Sequence, residues 1–236
     1  MTSLAMALPV KPGKAGQLRA LTNELLGARR QEFEASERRI GLTREGQYLQ
    51  PSPMGDLLLI WVEGADVMAS LTSFVQSFEP VDAWWKEQLL DITGVDLNQP
   101  PEAAPEVLLD WSAPGADQKE SLAMALPVQP GKAAQLRAVR DELLGARRQE
   151  FEESFDHLGV TREAWYLQPS PMGDLFIFWA TGDDIAASLA GFVQSREPVV
   201  AWLKGQLLDI TGIDFNSPPE GVPEVLMDWS APASVR

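Results

Sequence analysis

The chain has 236 residues, a formal net charge of −15 and no cysteine. The lack of cysteine excludes disulfides, thiolate catalysis and zinc–thiolate sites. Both halves are acidic, which disfavours nucleic acid and anionic membranes as partners. No apolar run approaches the roughly 20 residues that a membrane-spanning helix needs, and the N-terminus has no visible signal peptide. We therefore expect a cytoplasmic protein with no nucleic-acid or membrane partner.

The sequence contains an internal duplication. Residues 3–114 align with residues 121–232 without a gap, at an offset of 118 positions, and 79 of the 112 aligned positions are identical. We therefore predict a first repeat at 1–114, a linker at 115–120 and a second repeat at 121–236. Because the two copies are so similar, the retention of a residue in both is weak evidence of selection at that position.

Each copy begins with a strand and a long helix. In the first copy, Ser3–Val10 is an apolar stretch typical of a β-strand. Apolar residues at three- and four-residue steps then predict one helix from Ala15 to Ile40, with Gly41 as its C-cap. Gly27 lies in the middle of this helix, where glycine costs about 1 kcal/mol relative to alanine. This glycine is a candidate for a kink or a close packing point.

A β-hairpin follows, with strands at 47–50 and Leu57–Val62. The second of these is apolar throughout, which is typical of a strand buried on both faces. Helices are predicted after Asp66 and from Pro80, and a last strand at Val107–Trp111. The order is essentially βαββαβ, the ferredoxin-like pattern. We predict an α+β fold in which two such repeats form an intramolecular pseudo-dimeric α/β barrel.

Several short segments carry a resemblance to a known family. The PGK triplet, the RRQEFE helix segment, the GxTRE…YLQ strand, the MGD turn and the S…EPV helix start resemble an uncharacterised bacterial domain family of the dimeric α/β-barrel superfamily. That superfamily pairs two ferredoxin-like sheets around a shared core or cavity. It includes cofactor-free antibiotic-biosynthesis monooxygenases, haem-degrading enzymes, muconolactone-type isomerases and stress-responsive proteins. The resemblance implies a bacterial, fused version, a monomer with an internal pseudo-two-fold axis.

The sequence contains no recognisable cofactor or metal motif. His157 is the single histidine, and Arg39 occupies its position in the first copy. We interpret His157 as a solvated surface residue rather than a haem ligand. A phosphate-binding loop, a nucleophile elbow, an HExxH motif and a calcium loop are all lacking. We therefore expect neither a cofactor nor a metal.

Aromatic and polar residues of the hairpin are the first candidates for a ligand site. Tyr48 and Gln50 alternate onto one strand face and, with Trp61 and Asp110, would line a cavity between sheet and helices. The tyrosine would act as a general acid and the rings would hold an aromatic ligand. The favoured alternative is that Tyr48 buries its ring and bonds a backbone group. The equivalent candidates of the second copy are Tyr166, Gln168 and Trp179.

An acidic and a basic residue form a second candidate set. Glu32 lies on the apolar stripe of the predicted helix, so its carboxylate would point inward and need a partner. Arg44 is the candidate partner, and Glu150 and Arg162 are the equivalent pair. We favour an ion pair that supports the structure over a general base.

Three functions remain open from the sequence. The first is a barrel protein that binds a small apolar molecule. The second is a cofactor-independent monooxygenase-like enzyme, which would use the two tyrosines and the strand tryptophans. The third is a stress-related protein-interaction module. A polar group with a shifted pKa inside a closed cavity would favour the enzyme.

If a pocket exists, the two copies should differ in its size. Three positions gain bulk in the second copy, where Trp165, Phe176 and Phe178 replace smaller residues. This predicts a roomier first copy. The alternative, which we favour, is compensation, because Ala186 and Leu203 replace a methionine and a tryptophan and cores tolerate exchanges that conserve volume.

Overall fold

The computed structural model describes residues 1–52, 55–99, 103–113, 120–170, 173–218 and 221–232. The first copy forms β1 (Thr2–Pro9), α1 (Ala15–Leu26), α2 (Arg30–Ile40), β2 (Leu42–Gln50), β3 (Leu57–Gly64), α3 (Val67–Gln76), α4 (Pro80–Thr93) and β4 (Glu106–Ser112). The second copy forms β5 (Glu120–Pro127), α5 (Ala133–Leu144), α6 (Arg148–His157), β6 (Val160–Gln168), β7 (Leu175–Gly182), α7 (Ile185–Gln194), α8 (Pro198–Thr211) and β8 (Glu224–Ser230). The predicted α+β class and the strand order of the repeats are confirmed. The predicted linker lies outside the described residues except for Glu120.

The chain divides into two compact units that differ from the two repeats. Unit 1 comprises residues 1–104 and 223–236, and unit 2 comprises residues 105–222. Each unit contains one antiparallel four-stranded sheet, in the order β1-β3-β2-β8 or β4-β6-β7-β5. The last strand of each repeat therefore completes the sheet that the other repeat begins. The described strands therefore form two four-stranded sheets, one in each unit.

The apolar strand of the hairpin is central in its sheet. In unit 1, β3 pairs with β1 on one side and with β2 on the other. Its residues Leu58 to Gly64 are all buried. The sequence prediction that Leu57–Val62 is covered on both faces is therefore confirmed for residues 58–62, and Leu57 is half-buried.

The predicted single helix Ala15–Ile40 is wrong, because the helix breaks at Gly27. The backbone angles of Gly27, φ −106° and ψ −99°, lie outside the helical region. A Cβ atom there would lie 2.9 Å from the carbonyl oxygen of Asn23. The break gives α2 a new inward face, formed by the buried residues Phe33, Ser36, Glu37 and Ile40. The second copy breaks in the same way at Gly145.

Helices pack on one face of the sheet in unit 2. The core there combines alternate residues of the strands, such as Trp165 and Phe176, with apolar residues of the helices, such as Phe151 and Leu207. Since successive residues of a strand point to opposite faces, Glu163, Trp165 and Leu167 share this helix-covered face.

Candidate functional site

Unit 2 contains a cavity between its sheet and helices α6, α7 and α8. Its volume is about 70 Å³. Among the described residues, Glu163 and Ser188 are the polar members of its wall. The apolar wall consists of Leu122, Phe155, Leu158, Val160, Trp165, Phe176, Phe178, Ala180, Ile185, Leu189, Phe192, Leu203, Leu207 and Phe215. The site is therefore an apolar, largely aromatic space with one carboxyl group.

The strand register explains how β6 and β7 shape this space. Glu163 pairs with Ala180, and Trp165 pairs with Phe178. The small alanine leaves room opposite the carboxyl group, while the aromatic rings fill the next pair along the strands. Ser188, whose hydroxyl donates to the carbonyl of Asp184 at 3.0 Å, contributes the second polar position of the wall.

Glu163 has a strongly altered environment. Its side chain is buried, and burial raises the pKa of its carboxyl to about 7, while a hydrogen bond from Trp165 opposes that shift. The indole Nε1 of Trp165 donates this bond to Oε1 of Glu163. A carboxyl group with a pKa near 7 is able to accept or release a proton at neutral pH, which suits general acid–base chemistry.

Unit 1 has a more polar set of side chains around the residue equivalent to Glu163. Glu45 occupies the position of Glu163, and burial likewise raises its pKa to about 7. Gln47 replaces the tryptophan and donates to Oε1 of Glu45 at 2.7 Å. Glu37 replaces a phenylalanine, and burial followed by the charge of Glu45 raises its pKa well above the ordinary range. Two carboxyl groups in contact cannot both ionise readily.

The expectation of a roomier first copy receives no support from this cavity. The cavity lies in unit 2, and the phenylalanines that were expected to fill the space form its walls. Leu203 belongs to the same wall, where the first copy has the bulkier Trp85. The larger side chains at positions 176 and 178 and the smaller one at position 203 therefore surround the same cavity.

The predicted tyrosine, glutamine and tryptophan residues lie elsewhere. Tyr48, Trp61, Tyr166 and Trp179 are fully buried. They point to the sheet face opposite the helices. Side chains alternate between the two faces of a strand, and these four residues fall on the face that Glu45 and Glu163 do not occupy. Gln50 is buried and Gln168 is half-buried. The expected cavity between sheet and helices thus has other residues in its wall, and a ligand role of this set stays a prediction.

A buried arginine in each sheet lies over a strand tryptophan and binds an aspartate. Arg44 binds Asp228 at 2.9 Å and lies over the ring of Trp61, 5.7 Å from its centroid. In unit 2, Arg162 binds Asp110 at 3.0 Å and lies 5.5 Å from the ring centroid of Trp179. Each sheet therefore contains the same pair on this face, a buried arginine and a more exposed aspartate.

The predicted pairing of Glu32 with Arg44 is wrong. Glu32 is exposed and binds Arg29 at 2.9 Å, three residues earlier on the same helix. Glu150 likewise binds Arg147 at 3.2 Å. The physical reason is the break at Gly27, which moves Glu32 off the inward stripe and brings Glu37 inward instead. Glu37 was missed because the apolar stripe of α1 was extended through the break at Gly27. Glu163 was missed because the predicted site used the residues on the opposite face of β6.

The remaining titratable candidates are surface residues. The side chain of His157 is 68% exposed, and its Nδ1 lies 3.3 Å from Glu197 Oε1, in agreement with the surface position predicted. In the described part of the chain, no group of three or more acidic, histidine or cysteine side chains is placed to hold a metal ion. Within the same residues, no helix is long and apolar enough to cross a membrane.

Comparison with known proteins relates the fold to solved structures. No protein-family model and no curated protein matches the sequence. A putative monooxygenase from Fusobacterium nucleatum subsp. nucleatum is similar, with a TM-score of 0.55 and 12% identity over 97% of this chain and 93% of that one. One from Lactobacillus acidophilus has a TM-score of 0.51 and 10% identity, covering 98% and 97%. An anthrone oxidase-like protein has a TM-score of 0.50 and 13% identity, covering 97% and 92%.

These similarities extend over nearly the whole of every chain compared. At such low identity they show a shared fold and leave the activity open. Together with the two four-stranded sheets and the repeated βαββαβ order, they identify the architecture. The chain has a tandem-duplicated, ferredoxin-like α+β fold that it shares with these structures.

Proposed function

We propose that the protein binds a small apolar molecule in the cavity of unit 2, with Glu163 as the hydrogen-bonding group. The observation that carries this proposal is a single buried carboxyl group in a wall otherwise composed of apolar and aromatic side chains. Small-molecule sites are typically built in this way, with a few polar groups that orient the ligand. The ligand class that fits best is an aromatic compound with one hydroxyl group.

The volume of the cavity limits what it holds. A dry engineered cavity of about 150 Å³ accommodates benzene, whereas this cavity measures about 70 Å³. An aromatic ring therefore needs a wall to move. The weakest wall is α7, in which Ser188 is the only buried residue. Ile185, Leu189 and Phe192 line the cavity from this helix while remaining half-buried, so an outward shift of α7 enlarges the site at low cost.

Calorimetric titration with phenol and with benzene tests the proposal. Phenol donates a hydrogen bond to Glu163 and benzene does not, so phenol should bind the wild-type protein more tightly, by about 5- to 10-fold. Leu203→Trp introduces the residue that unit 1 has at this position and should abolish binding by filling the cavity. Glu45→Gln, the equivalent change to Glu163→Gln in unit 1, should leave the affinity unchanged. Equal binding of phenol by the Leu203→Trp variant would contradict the proposed site.

A cofactor-independent monooxygenase-like activity is the second candidate. The observation in its favour is Glu163, whose carboxylate would accept a proton from a weakly acidic aromatic or enolic substrate near neutral pH. Deprotonation makes such a substrate electron-rich, and in that state it reacts with dioxygen more readily. The fold is similar to that of proteins named a putative monooxygenase and an anthrone oxidase-like protein.

Oxygen uptake in the presence of anthrone tests this second candidate. Wild-type protein should increase the rate over the buffer, and Glu163→Gln should lower that increase by about 10²- to 10⁴-fold, the usual contribution of a general base. Glu45→Gln is the matched control and should retain the activity. Phenol binding without any oxygen uptake would leave the binding proposal in place and remove the enzymatic one.

A further inference from the structure

Unit 1 contains three buried polar atoms whose hydrogen-bonding capacity is unused within the described protein. They are Oε2 of Glu37, Nε1 of Trp85 and Nε1 of Trp229. Two of them occupy revealing positions. Glu37 and Trp85 correspond, at the offset of 118 residues, to Phe155 and Leu203, which line the cavity of unit 2. The place that is an apolar cavity in unit 2 is thus bordered by unused polar atoms in unit 1.

The third atom belongs to the same region. Trp229 lies directly opposite Glu45 on the neighbouring strand, so the two side chains share one sheet face. The ring of Trp229 also packs edge-on against Phe33, with 5.5 Å between centroids. Phe33 and Glu37 are four residues apart on α2 and lie on the same side of that helix. Trp229 and Glu37 are therefore neighbours across the helix–sheet interface.

Trp85 reaches this region from helix α4. Asp82 lies three residues before Trp85 on that helix, and its charge acts on Glu37. The Asp82 carboxylate itself is bound by the hydroxyl of Ser36 and the guanidinium of Arg39. These contacts place the inward side of α4 next to α2. The counterparts of Glu37 and Trp85 share one cavity wall in unit 2, and Trp229 lies beside Glu45 on the sheet.

The chemistry of the three atoms defines their complement. Two indole N–H groups are donors only, and each needs an acceptor when buried. Neutral Glu37 donates its proton to Glu45 and leaves Oε2 as an acceptor. The complement is an oxygen atom with two lone pairs and one O–H. An anion would be repelled by the acidic pair Glu37 and Glu45. An ammonium group has no lone pair and therefore cannot accept a hydrogen bond from either indole.

We propose that unit 1 holds a second site, specific for one hydroxyl oxygen that accepts from Trp85 and Trp229 and donates to Glu37. Water or a short-chain alcohol supplies the same group. Three hydrogen bonds are the usual number for a buried water molecule. The duplication has thus produced two different interiors, an apolar one in unit 2 and a hydroxyl-binding one in unit 1. This inference does not depend on the function proposed for unit 2.

Nuclear magnetic resonance of the tryptophan indole protons tests the proposal. The resonances are assigned by single Trp→Phe replacements in the full chain. Cross-relaxation from the indole protons of Trp85 and Trp229 to a long-lived water molecule should be observed in buffer. Addition of methanol separates the two sources, because an alcohol guest replaces the water signal with one from the methyl group. Either result supports the site.

Variants that copy unit 2 into unit 1 provide the controls. Glu37→Phe introduces the phenylalanine of the second copy, removes the acceptor and should reduce the cross-relaxation at both indoles at least several-fold. Trp85→Leu, also the residue of the second copy, should reduce the signal at Trp229 and keeps the test available if the first variant fails to fold. Lack of transfer at both indoles in the wild-type protein, or transfer that survives Glu37→Phe unchanged, overturns the proposal.

Discussion

The indole Nε1 of Trp165 donates a hydrogen bond to the carboxyl group of Glu163, two residues earlier on the same face of β6. This bond orients one carboxyl oxygen and leaves the group inside an aromatic wall. The counterpart in unit 1 is an amide, since Gln47 donates to Glu45. Together with Phe155 in place of Glu37 and Leu203 in place of Trp85, this substitution accompanies the change from a polar network to an apolar cavity.

Glu163 should make the stability of the protein pH-dependent. Burial raises its pKa to about 7 in the folded chain, above the roughly 4.3 of an unfolded glutamate. Between these values the folded state binds the extra proton, so the carboxyl group's contribution to stability falls as the pH rises and is lost above about 7. Glu163→Gln should gain up to about 3 kcal/mol relative to the wild type between pH 5 and pH 8. Urea unfolding at both pH values measures this gain.

The exposed Glu150 supplies the control for that experiment. Glu150→Gln should change the stability by the same small amount at both pH values, because its side chain is 53% exposed and exposed pairs contribute little. A difference between wild type and Glu163→Gln that stays constant from pH 5 to pH 8 would show that the carboxyl group titrates normally.

The first repeat alone, residues 1–114, should form a homodimer or aggregate. In the full chain, β8 pairs with β2 along residues 44–49, and the isolated repeat lacks β8. An unpaired sheet edge favours association with another strand, and β4 has nearly the sequence of β8. Two copies should therefore exchange β4. Light scattering after size-exclusion chromatography measures the mass, and a stable folded monomer would refute the prediction.

Gly27→Ala should destabilise the protein by about 1–2 kcal/mol. The added Cβ would lie 2.9 Å from the carbonyl oxygen of Asn23, so either the helix end or the Cβ must shift. Gly16→Ala is the matched control. It has open space around its Cβ, the second copy has alanine there, and it should stabilise the protein by about 0.4–1 kcal/mol. Thermal unfolding compares the two, and equal effects would argue against a steric clash at Gly27.

Arg44→Met should cost about 1.5–3 kcal/mol. The side chain of Arg44 is 6% exposed and forms a bidentate pair with Asp228, whose side chain is 23% exposed, and hydrogen bonds to charged groups typically contribute about this much. Arg19→Met is the control, because the Arg19–Glu224 pair joins α1 to the same strand β8 in an exposed setting and should contribute less than about 1 kcal/mol. Chemical denaturation distinguishes them, and similar losses would show that burial does not decide the value of the pair.

The sequence by itself determined the duplication, the order of the strands and the nature of the central strand. An offset of 118 residues is visible without coordinates, and a continuous apolar run at Leu57–Val62 is a local signal for a buried strand. These features depend on periodicity and composition within short windows, which is why they were predictable.

Only the tertiary structure decided which strands pair and which residues form the cavity. β4 and β8 are nearly identical in sequence, so no local sequence signal predicts that each joins the sheet begun by the other repeat. Gly27 shifts the inward face of α2 to Glu37, and no periodicity extends through such a break. Glu163 acquires its pKa from side chains on distant helices and strands. Burial is a property of the assembled fold, since desolvation depends on every element that excludes water from the group.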